Sequence, residues 1–194
     1  EPVDPVVQDV LVTLRPPRSP NQSSCWEQFV TEVKNSSGID VTKADLPALR
    51  QLPVILDACG GTVHASIRDG EIIAVQPLDH GPLGAAVDLG TTRIAMYLVD
   101  MLTGMPCAVD GMVNPQITFG EDVMSRIAFS MQHGATALRK AVIEGLNQLI
   151  QMICPAAPHR IIEMVIAGNT AMHHLILDLP VKQLGTAPYV PALC

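Results

Sequence analysis

The stretch AAVDLGTT, residues 85–92, decides the fold assignment of this 194-residue chain. An apolar run that is typical of a β-strand ends in one carboxylate, Asp88, followed by Gly90 and two threonines. A carboxylate within an apolar strand costs free energy unless it has a partner. The run therefore predicts a buried strand in which Asp88 meets a cation, then a glycine turn and a second strand over 94–100.

The composition of this turn suits a metal-bound phosphate. Gly90 lets the backbone approach an anion closely, and the N–H groups and hydroxyls of Thr91 and Thr92 can donate to phosphate oxygens. Asp88 is itself an anion, so Mg²⁺ or a metal-bound water must lie between it and the phosphate. The alternative is a hairpin whose aspartate caps its own turn. Arg93 could pair with Asp88, but strand alternation favours a solvent-facing Arg93.

A second strand-to-helix turn follows at residues 167–170, AGNT. Gly168 ends an apolar strand, and Asn169 or Thr170 can cap the next helix, whose N-terminus favours an anion. An ordinary capped helix is the alternative. His173 and His174 point about 100° apart on that helix, so they cannot hold one metal as an i, i+4 pair would. We expect one to face the core and the other to be exposed.

The remaining patterns place these turns in a two-part chain. Residues 6–14 predict a strand, Ser23 or Ser24 caps a helix to about residue 34, and Asp45 caps a short helix that Pro53 ends. Strands are predicted over 54–57, 62–68 and 71–76, the last two joined by a type I′ turn at Asp69-Gly70, with His64 as a surface or packing residue. A Pro- and Gly-rich linker covers 77–84. The predicted elements after it are strands over 85–89, 94–100 and 107–112, a loop from 114, helices over 121–132 and 135–152, a strand over 160–168 and a final helix.

Composition excludes several classes of function. A net charge of −7 and a pI near 5.2 disfavour a nucleic-acid partner. No apolar run reaches the roughly 18 residues that a membrane span needs, and no secretory signal is visible, so we expect a cytoplasmic protein. The five cysteines are far apart, which predicts reduced structural thiols and no local iron–sulfur or zinc site. The Walker, G-x-G-x-x-G and G-x-S-x-G motifs are absent from the sequence.

Four blocks of sequence together resemble one protein family. GAAVDLGTTRIAMYLVD is similar to the first phosphate motif of the superfamily of actin, heat-shock chaperone ATPases and sugar and acetate kinases. NPQITFGEDVMSRI (114–127), VIAGNTAMHHLILDLP (165–180) and GTAPYVP (185–191) make the resemblance more specific. With them, the chain resembles the reductive activators of corrinoid proteins, and its opening EPVDPVVQDVLVTLRPP resembles the segment before their ATPase domain.

The resemblance implies an α/β fold. A linker over 1–20 and a small α+β middle domain over 21–83 would precede the first subdomain of an actin-like ATPase over 84–194, ribonuclease-H-like with a mixed sheet and incomplete. It also implies a function. Such a protein uses ATP and Mg²⁺ to return the corrinoid of a methyltransferase system from Co(II) to Co(I), with the electron from a ferredoxin-type [2Fe–2S] domain.

The resemblance also assigns site residues. It implies Asp88 for the metal, Asp88, Asn169 and Thr170 for catalysis, Gly90, Thr91, Thr92 and Gly168 for the phosphates, and Asn114 and Gln116 near the cleft. Three departures accompany it. Cysteines spaced for the cluster are absent, and so is the second half of the ATPase, so we expect no ATP hydrolysis by this chain alone. Arg93 also stands where a smaller or apolar residue is expected.

Two other functions compete with this one. The chain could belong to a small-molecule kinase of the same superfamily, although the N-terminal hairpin unit argues against a substrate domain there. It could also be a non-catalytic module in which residues 1–83 dock a partner. For the activator, the expected partner is a corrinoid protein. An open half-cleft is expected to favour a homodimer.

Overall fold

Two four-stranded sheets, each with its own helices, organise the computed structural model, which describes residues 6–14, 24–79 and 81–192. Backbone contacts divide the chain into two units. Unit 1 comprises Glu1–Leu83 with Asp100–Gly104, and unit 2 comprises Gly84–Val99 with Met105–Cys194. The α/β class predicted from the sequence is confirmed, because both units combine a sheet with packed helices.

Unit 1 builds its sheet in the order β1-β3-β4-β2. Its elements are β1 (Gln8–Thr13), α1 (Cys25–Ser37), β2 (Lys43–Ala44), α2 (Leu46–Ala58), β3 (Thr62–Arg68) and β4 (Glu71–Gln76). β3 pairs antiparallel with β1 and β4, whereas β2 pairs parallel with β4. Alternate strand residues such as Val63 and Ile72 pack with Phe29, Val33 and Leu52 of the two helices to form the core.

Local signals explain the ends of several elements in unit 1. The Ser24 hydroxyl accepts a hydrogen bond from Glu27 N at 3.2 Å, and the Glu27 carboxylate accepts one from Ser24 N at 2.9 Å, so Ser24 caps α1 in a capping box. Ser23 lies outside the described residues. Asp69 and Gly70 have φ of 50° and 72°, which confirms the predicted turn with two left-handed residues.

The strand predicted over 54–57 is wrong, because these residues continue α2. Pro53 lies inside this helix instead of ending it. A proline removes one backbone donor and costs a helix about 3 kcal/mol. Ala48, Leu52 and Leu56 recur every four residues and are all buried, and their burial offsets that cost. Asp45 stands at the N-cap position as predicted, but its side chain makes no capping hydrogen bond.

His64 lies on the face of β3 away from the helices and has a partner there. Its Nδ1 lies 2.6 Å from Asp9 Oδ2, and the Ser66 hydroxyl donates to Asp9 Oδ1 at 3.3 Å. The sequence predicts a surface or packing residue, and the structure makes His64 a half-buried member of this polar group. Its contacts anchor β1 to β3.

Unit 2 has the predicted element order. It contains β5 (Leu83–Leu89), β6 (Arg93–Asp100), β7 (Pro106–Val113), α3 (Val123–His133), α4 (Thr136–Ile153), β8 (Ile161–Gly168) and α5 (Thr170–Leu177), with short 3₁₀ helices at Pro115–Phe119, Pro158–Arg160 and Lys182–Leu184. The sheet order is β7-β6-β5-β8, which places β5 and β8 next to each other. One sheet face packs on the helices through residues such as Leu89, Met96, Leu138 and Met172.

Two boundaries in unit 2 differ from the prediction. The segment predicted as a loop from 114 forms a 3₁₀ helix over Pro115–Phe119, where Asn114 accepts a capping hydrogen bond from Gln116 N. The helix predicted from 121 begins at Val123, because Asp122 is its N-cap and accepts a hydrogen bond from Ser125 N at 2.7 Å.

The described cysteines Cys25, Cys59, Cys107 and Cys154 are free thiols, as predicted, and Cys194 lies outside the described residues. Across the described ranges, no helix combines the length and the apolar character that crossing a bilayer requires.

Candidate functional site

Asp88 lies on the open face of the unit 2 sheet. Along β5, Ala85, Val87 and Leu89 are buried against the helices, whereas Ala86 and Asp88 are exposed on the opposite face. The expectation that the Asp88 carboxylate is buried is therefore wrong. The carboxylate meets solvent and needs no protein partner. Arg93 is exposed too, as strand alternation predicts.

The backbone of the turn after Asp88 accepts hydrogen bonds from two buried residues. Asn114 Nδ2 donates to Gly90 O at 2.8 Å, Arg126 Nη2 donates to Thr91 O at 2.8 Å, and Asn114 N donates to Thr92 O at 2.8 Å. Three successive carbonyl oxygens thus point into the protein interior. They belong to the residues that the sequence assigns to phosphate binding.

The orientation of these carbonyls fixes the direction of the amide groups. In a trans peptide the C=O and the following N–H point in opposite directions, so the N–H groups of Thr91 and Thr92 point out of the interior. In the described part of the chain no oxygen accepts a hydrogen bond from either group. Successive unpaired N–H groups of this kind form a concavity that suits an anion.

Gly90 is required here by the tightness of the turn. A Cβ at this position would lie 2.6 Å from Arg93 O, a backbone atom that cannot move without opening the hairpin. Gly90 is not one of the described glycines that have a positive φ. The glycine in this motif therefore serves close backbone packing.

The second turn lies directly beside the first. A Cβ on Gly168 would lie 3.0 Å from Leu89 O, so the ends of β8 and β5 pack closely and a side chain there would push the Leu89 backbone aside by a few tenths of an ångström. Asn169 Oδ1 accepts a hydrogen bond from Met172 N at 2.9 Å and caps α5, while its Nδ2 donates to Thr91 Oγ1 at 3.2 Å. Asn169 is thus the residue that joins the two turns. Thr170 follows it, exposed, in the first turn of α5.

Asn114 and Gln116 lie under the turns and do not face solvent. Asn114 is 0% exposed and Gln116 is 1% exposed. Asn114 Oδ1 accepts from Gln116 N at 2.9 Å, and Gln116 Nε2 donates to Leu138 O at 3.1 Å. The pair therefore ties the turn after β5 to helix α4, and its amides act on the backbone of the turn from the interior.

Arg126 is a part of this network that the sequence analysis does not single out. It is 0% exposed, and its guanidinium donates to Gly120 O at 2.9 Å, Gln116 Oε1 at 3.3 Å and Thr91 O at 2.8 Å. Burial lowers the pKa of the guanidinium, and the nearby Asp122 charge opposes this shift. The available signal is its spacing, because an arginine three residues after Val123 falls on the apolar face of α3.

The two histidines of α5 differ in their surroundings. His174 is 1% exposed, its Nδ1 donates to Thr170 O at 2.7 Å, and its Nε2 accepts from Ala192 N at 3.0 Å. The prediction that one histidine faces the core is confirmed. The prediction that the other is exposed is wrong, because His173 is half-buried and its Nε2 is fully enclosed.

Two family models match the chain over nearly all of its length. The model described as RACo linker region matches residues 2–81, and the one described as RACo middle region matches residues 83–194. These names differ from the labels drawn from the sequence, which place a linker over 1–20, a middle domain over 21–83 and an ATPase subdomain after it. The boundary between the two models coincides with the Pro- and Gly-rich segment near residue 82.

Known relatives agree with the family models. The chain is 39% identical over 113 residues to the corrinoid activation enzyme RamQ of Eubacterium limosum, a match that covers 55% of this chain and 19% of RamQ. The solved structure of a reductive activator for corrinoid, iron-sulfur protein is similar with a TM-score of 0.75 and 28% identity, over 99% of this chain and 32% of that one. The chain thus spans a minor part of the length of both relatives. Because the RACo middle region alone matches more than half of its residues, the chain belongs to the RACo family of reductive activators of corrinoid proteins.

Proposed function

We propose that the chain carries one wall of a nucleotide-phosphate site in an ATP-dependent activator that returns a corrinoid from Co(II) to Co(I). The observation that carries the proposal is the hydrogen bond from Asn169 to Thr91, which joins two glycine turns at one end of the sheet. The exposed carboxylate of Asp88 lies at the end of the same strand, β5. The names of the relatives supply the corrinoid part of the proposal.

In this proposal the first turn binds phosphate through its backbone. The N–H groups of Thr91 and Thr92 point outward and donate to phosphate oxygens, with the two threonine hydroxyls as further donors. Gly168, Asn169 and Thr170 face the terminal phosphate, where the N-terminus of α5 favours negative charge. Asn169 keeps both turns in register, because it bonds to the helix and to Thr91 at once.

Asp88 fits the role of a magnesium ligand. The described residues include no group of three His, Cys, Asp or Glu side chains that could hold a metal ion by themselves. Mg²⁺ does not need such a group, because it commonly binds one or two carboxylates together with water and substrate phosphates. When bound, it would neutralise phosphate charge beside the carboxylate. Asp88 would bind the ion directly or through water. It would not contact the phosphate itself, because both groups are negatively charged.

The electron and the partner come from outside the described residues in this account. The free thiols of the chain are not grouped, so we propose that an iron–sulfur cluster elsewhere in the intact protein delivers one electron to Co(II). The partner is a corrinoid protein of a methyltransferase system. We place the reaction in the cytoplasm, where isolated thiols stay reduced.

The direct test uses the intact gene product with a Co(II) corrinoid protein and a low-potential chemical reductant. Co(I), followed by its absorbance, is expected to accumulate only with ATP and Mg²⁺. The Asp88→Asn variant is expected to lose this activity by about 100-fold or more, since it removes the charge that holds the metal. Glu144→Gln, which removes an exposed carboxylate on α4, is the control and keeps full activity. Cobalt reduction that needs no ATP, or that Asp88→Asn leaves unchanged, contradicts the proposal.

A further inference from the structure

We propose that Arg126 is a positioning residue for the anion at the first turn, and that it supplies a buried positive charge behind the backbone of that turn. The inference rests on the proposed phosphate site. Arg126 does not touch the anion in this account. It acts through the peptide group between Thr91 and Thr92.

The hydrogen bonds of Arg126 fix one peptide group of the turn. Its Nη2 donates to Thr91 O at 2.8 Å, which holds this carbonyl inward and turns the Thr92 N–H outward. Its Nε donates to Gly120 O at 2.9 Å at the start of α3, so the guanidinium is braced from a second side. A Cβ on Gly120 would lie 2.8 Å from Arg126 N, so glycine is needed for this segment to pack so closely against the start of α3.

The charge of Arg126 has no carboxylate partner. Its acceptors are two backbone carbonyls and the Gln116 amide oxygen, with Met172 Sδ at 3.6 Å. Among the described residues, no carboxylate oxygen lies within 4.0 Å of the guanidinium. A buried charge is ordinarily paired. Neutral acceptors satisfy its hydrogen bonds but leave its positive charge uncompensated.

The charge of Asp122, the N-cap of α3, acts on Arg126. This carboxylate is exposed and accepts hydrogen bonds from the backbone and hydroxyl of Ser125. Solvent therefore screens it, whereas the guanidinium lies in the interior, where charge interactions are stronger. An anion bound at the outward N–H groups of Thr91 and Thr92 would supply the counter-charge. Only the backbone of the turn would then lie between this anion and the guanidinium.

A comparison with Asn114 separates the orientation of the turn from the effect of a positive charge. It holds the neighbouring carbonyls of Gly90 and Thr92 with neutral groups, so it orients the turn without adding charge. Arg126 contributes both orientation and charge. Removal of Arg126 should therefore weaken binding in proportion to ligand charge, which loss of structure alone would not do.

The test measures binding of ATP, tripolyphosphate and adenosine to the intact gene product by calorimetry. Arg126→Met is expected to weaken ATP and tripolyphosphate binding about tenfold or more and adenosine binding less than about twofold. Arg126→Lys keeps the charge with fewer donors and is expected to recover most of the loss. The control is Arg139→Met, because exposed Arg139 also donates through Nε to a carbonyl, Ile176 O at 3.0 Å, away from the turn.

The inference is wrong if folded Arg126→Met keeps the wild-type affinity for ATP. It is also wrong if this variant loses as much affinity for adenosine as for ATP. If the Met variant does not fold, Arg126→Lys decides: a loss of about threefold for the charged ligands alone supports the inference, and an equal loss for all three ligands, or no loss for any of them, overturns it. Tripolyphosphate binding that depends on Arg126, without ATP-dependent cobalt reduction, contradicts the proposed function alone. A wild type that binds neither ATP nor tripolyphosphate contradicts both.

Discussion

At the scale of single residues, the first turn owes its shape to side chains that its own sequence does not contain. Gly90, Thr91 and Thr92 each offer a carbonyl to the interior, and Asn114 and Arg126 supply the donors. These donors are buried, and a buried polar group without its partner costs free energy. A substitution in the turn or in one of these donors should therefore destabilise both.

Asn114→Ala is expected to lower the free energy of unfolding by about 2–3 kcal/mol, because it leaves Gly90 O and Gln116 N without their partners. Urea unfolding followed by circular dichroism measures this. Thr118→Ala is the matched control, since the exposed Thr118 hydroxyl donates to Pro115 O in the same segment. It should change the free energy by no more than about 0.5 kcal/mol. Equal costs for the two variants would show that Asn114 is not a support of the turn.

The sequence predicts the residues of the two turns but not how buried side chains support them. Asp88, Gly90 and the threonines form a local motif, and so do Gly168 and Asn169, so both turns are predicted. The supports act over distance, because 24 residues separate Asn114 from Gly90 and 35 separate Arg126 from Thr91. No local periodicity reports such a pairing. Asn114 and Gln116 come from the resemblance, and Arg126 is missed.

At the scale of elements, α2 shows how tertiary burial decides between competing local signals. Pro53 and the β-branched residues after it favour a strand, whereas the four-residue spacing of buried positions favours a helix. The helix forms because its apolar face completes the core of unit 1. The elements of unit 2 have no such conflict, and their order is predicted throughout.

Pro53→Ala is expected to raise the free energy of unfolding of unit 1 by about 1 kcal/mol or more, because it restores a backbone donor inside α2. Pro53 is exposed, so the change leaves the core intact. The half-buried Trp26, which packs against that core, reports unfolding by fluorescence. Pro47→Ala in the first turn, where proline is tolerated, serves as the control and should be nearly neutral. A destabilised Pro53→Ala protein would contradict the helical assignment of residues 54–57.

The N-terminus of α3 should make unit 2 sensitive to acid. Hydrogen bonds from Ser125 lower the pKa of Asp122, so the folded state binds its proton less readily than the unfolded state does. The stabilisation is present above the unfolded pKa of about 4 and is lost as pH falls through the lower folded value.

Asp122→Asn keeps a capping oxygen without a titrating group, so it isolates this effect. The difference in free energy of unfolding between wild type and Asp122→Asn is expected to shrink as pH falls from about 5 to 3. Urea titrations at each pH measure it. Thr118→Ala, which changes an exposed hydroxyl and no titrating group, should keep a nearly constant difference. A constant difference for Asp122→Asn as well would contradict the assigned cap.

At the scale of the whole molecule, the two units match two adjacent regions of one family, and the candidate site lies in the second. The linker-region match covers most of unit 1, apart from Asp100–Gly104, and the middle-region match covers unit 2, which holds both turns and their supports. The sequence predicts the two-part organisation from the Pro- and Gly-rich segment between them. The chain spans a minor part of the length of its relatives, so whole-protein activity is tested in the intact gene product.

The Mg²⁺ dependence of ATP binding by the intact gene product tests the role of Asp88 and the two turns most directly. If Asp88 and the two turns form the phosphate site, Mg²⁺ should tighten ATP binding of the wild type by about tenfold or more. In Asp88→Asn the same addition should leave the affinity nearly unchanged, while Glu144→Gln behaves as the wild type. Calorimetric titration with and without Mg²⁺ gives the result. An Asp88→Asn protein that keeps the full Mg²⁺ effect, or a wild type that does not bind ATP, would contradict the account.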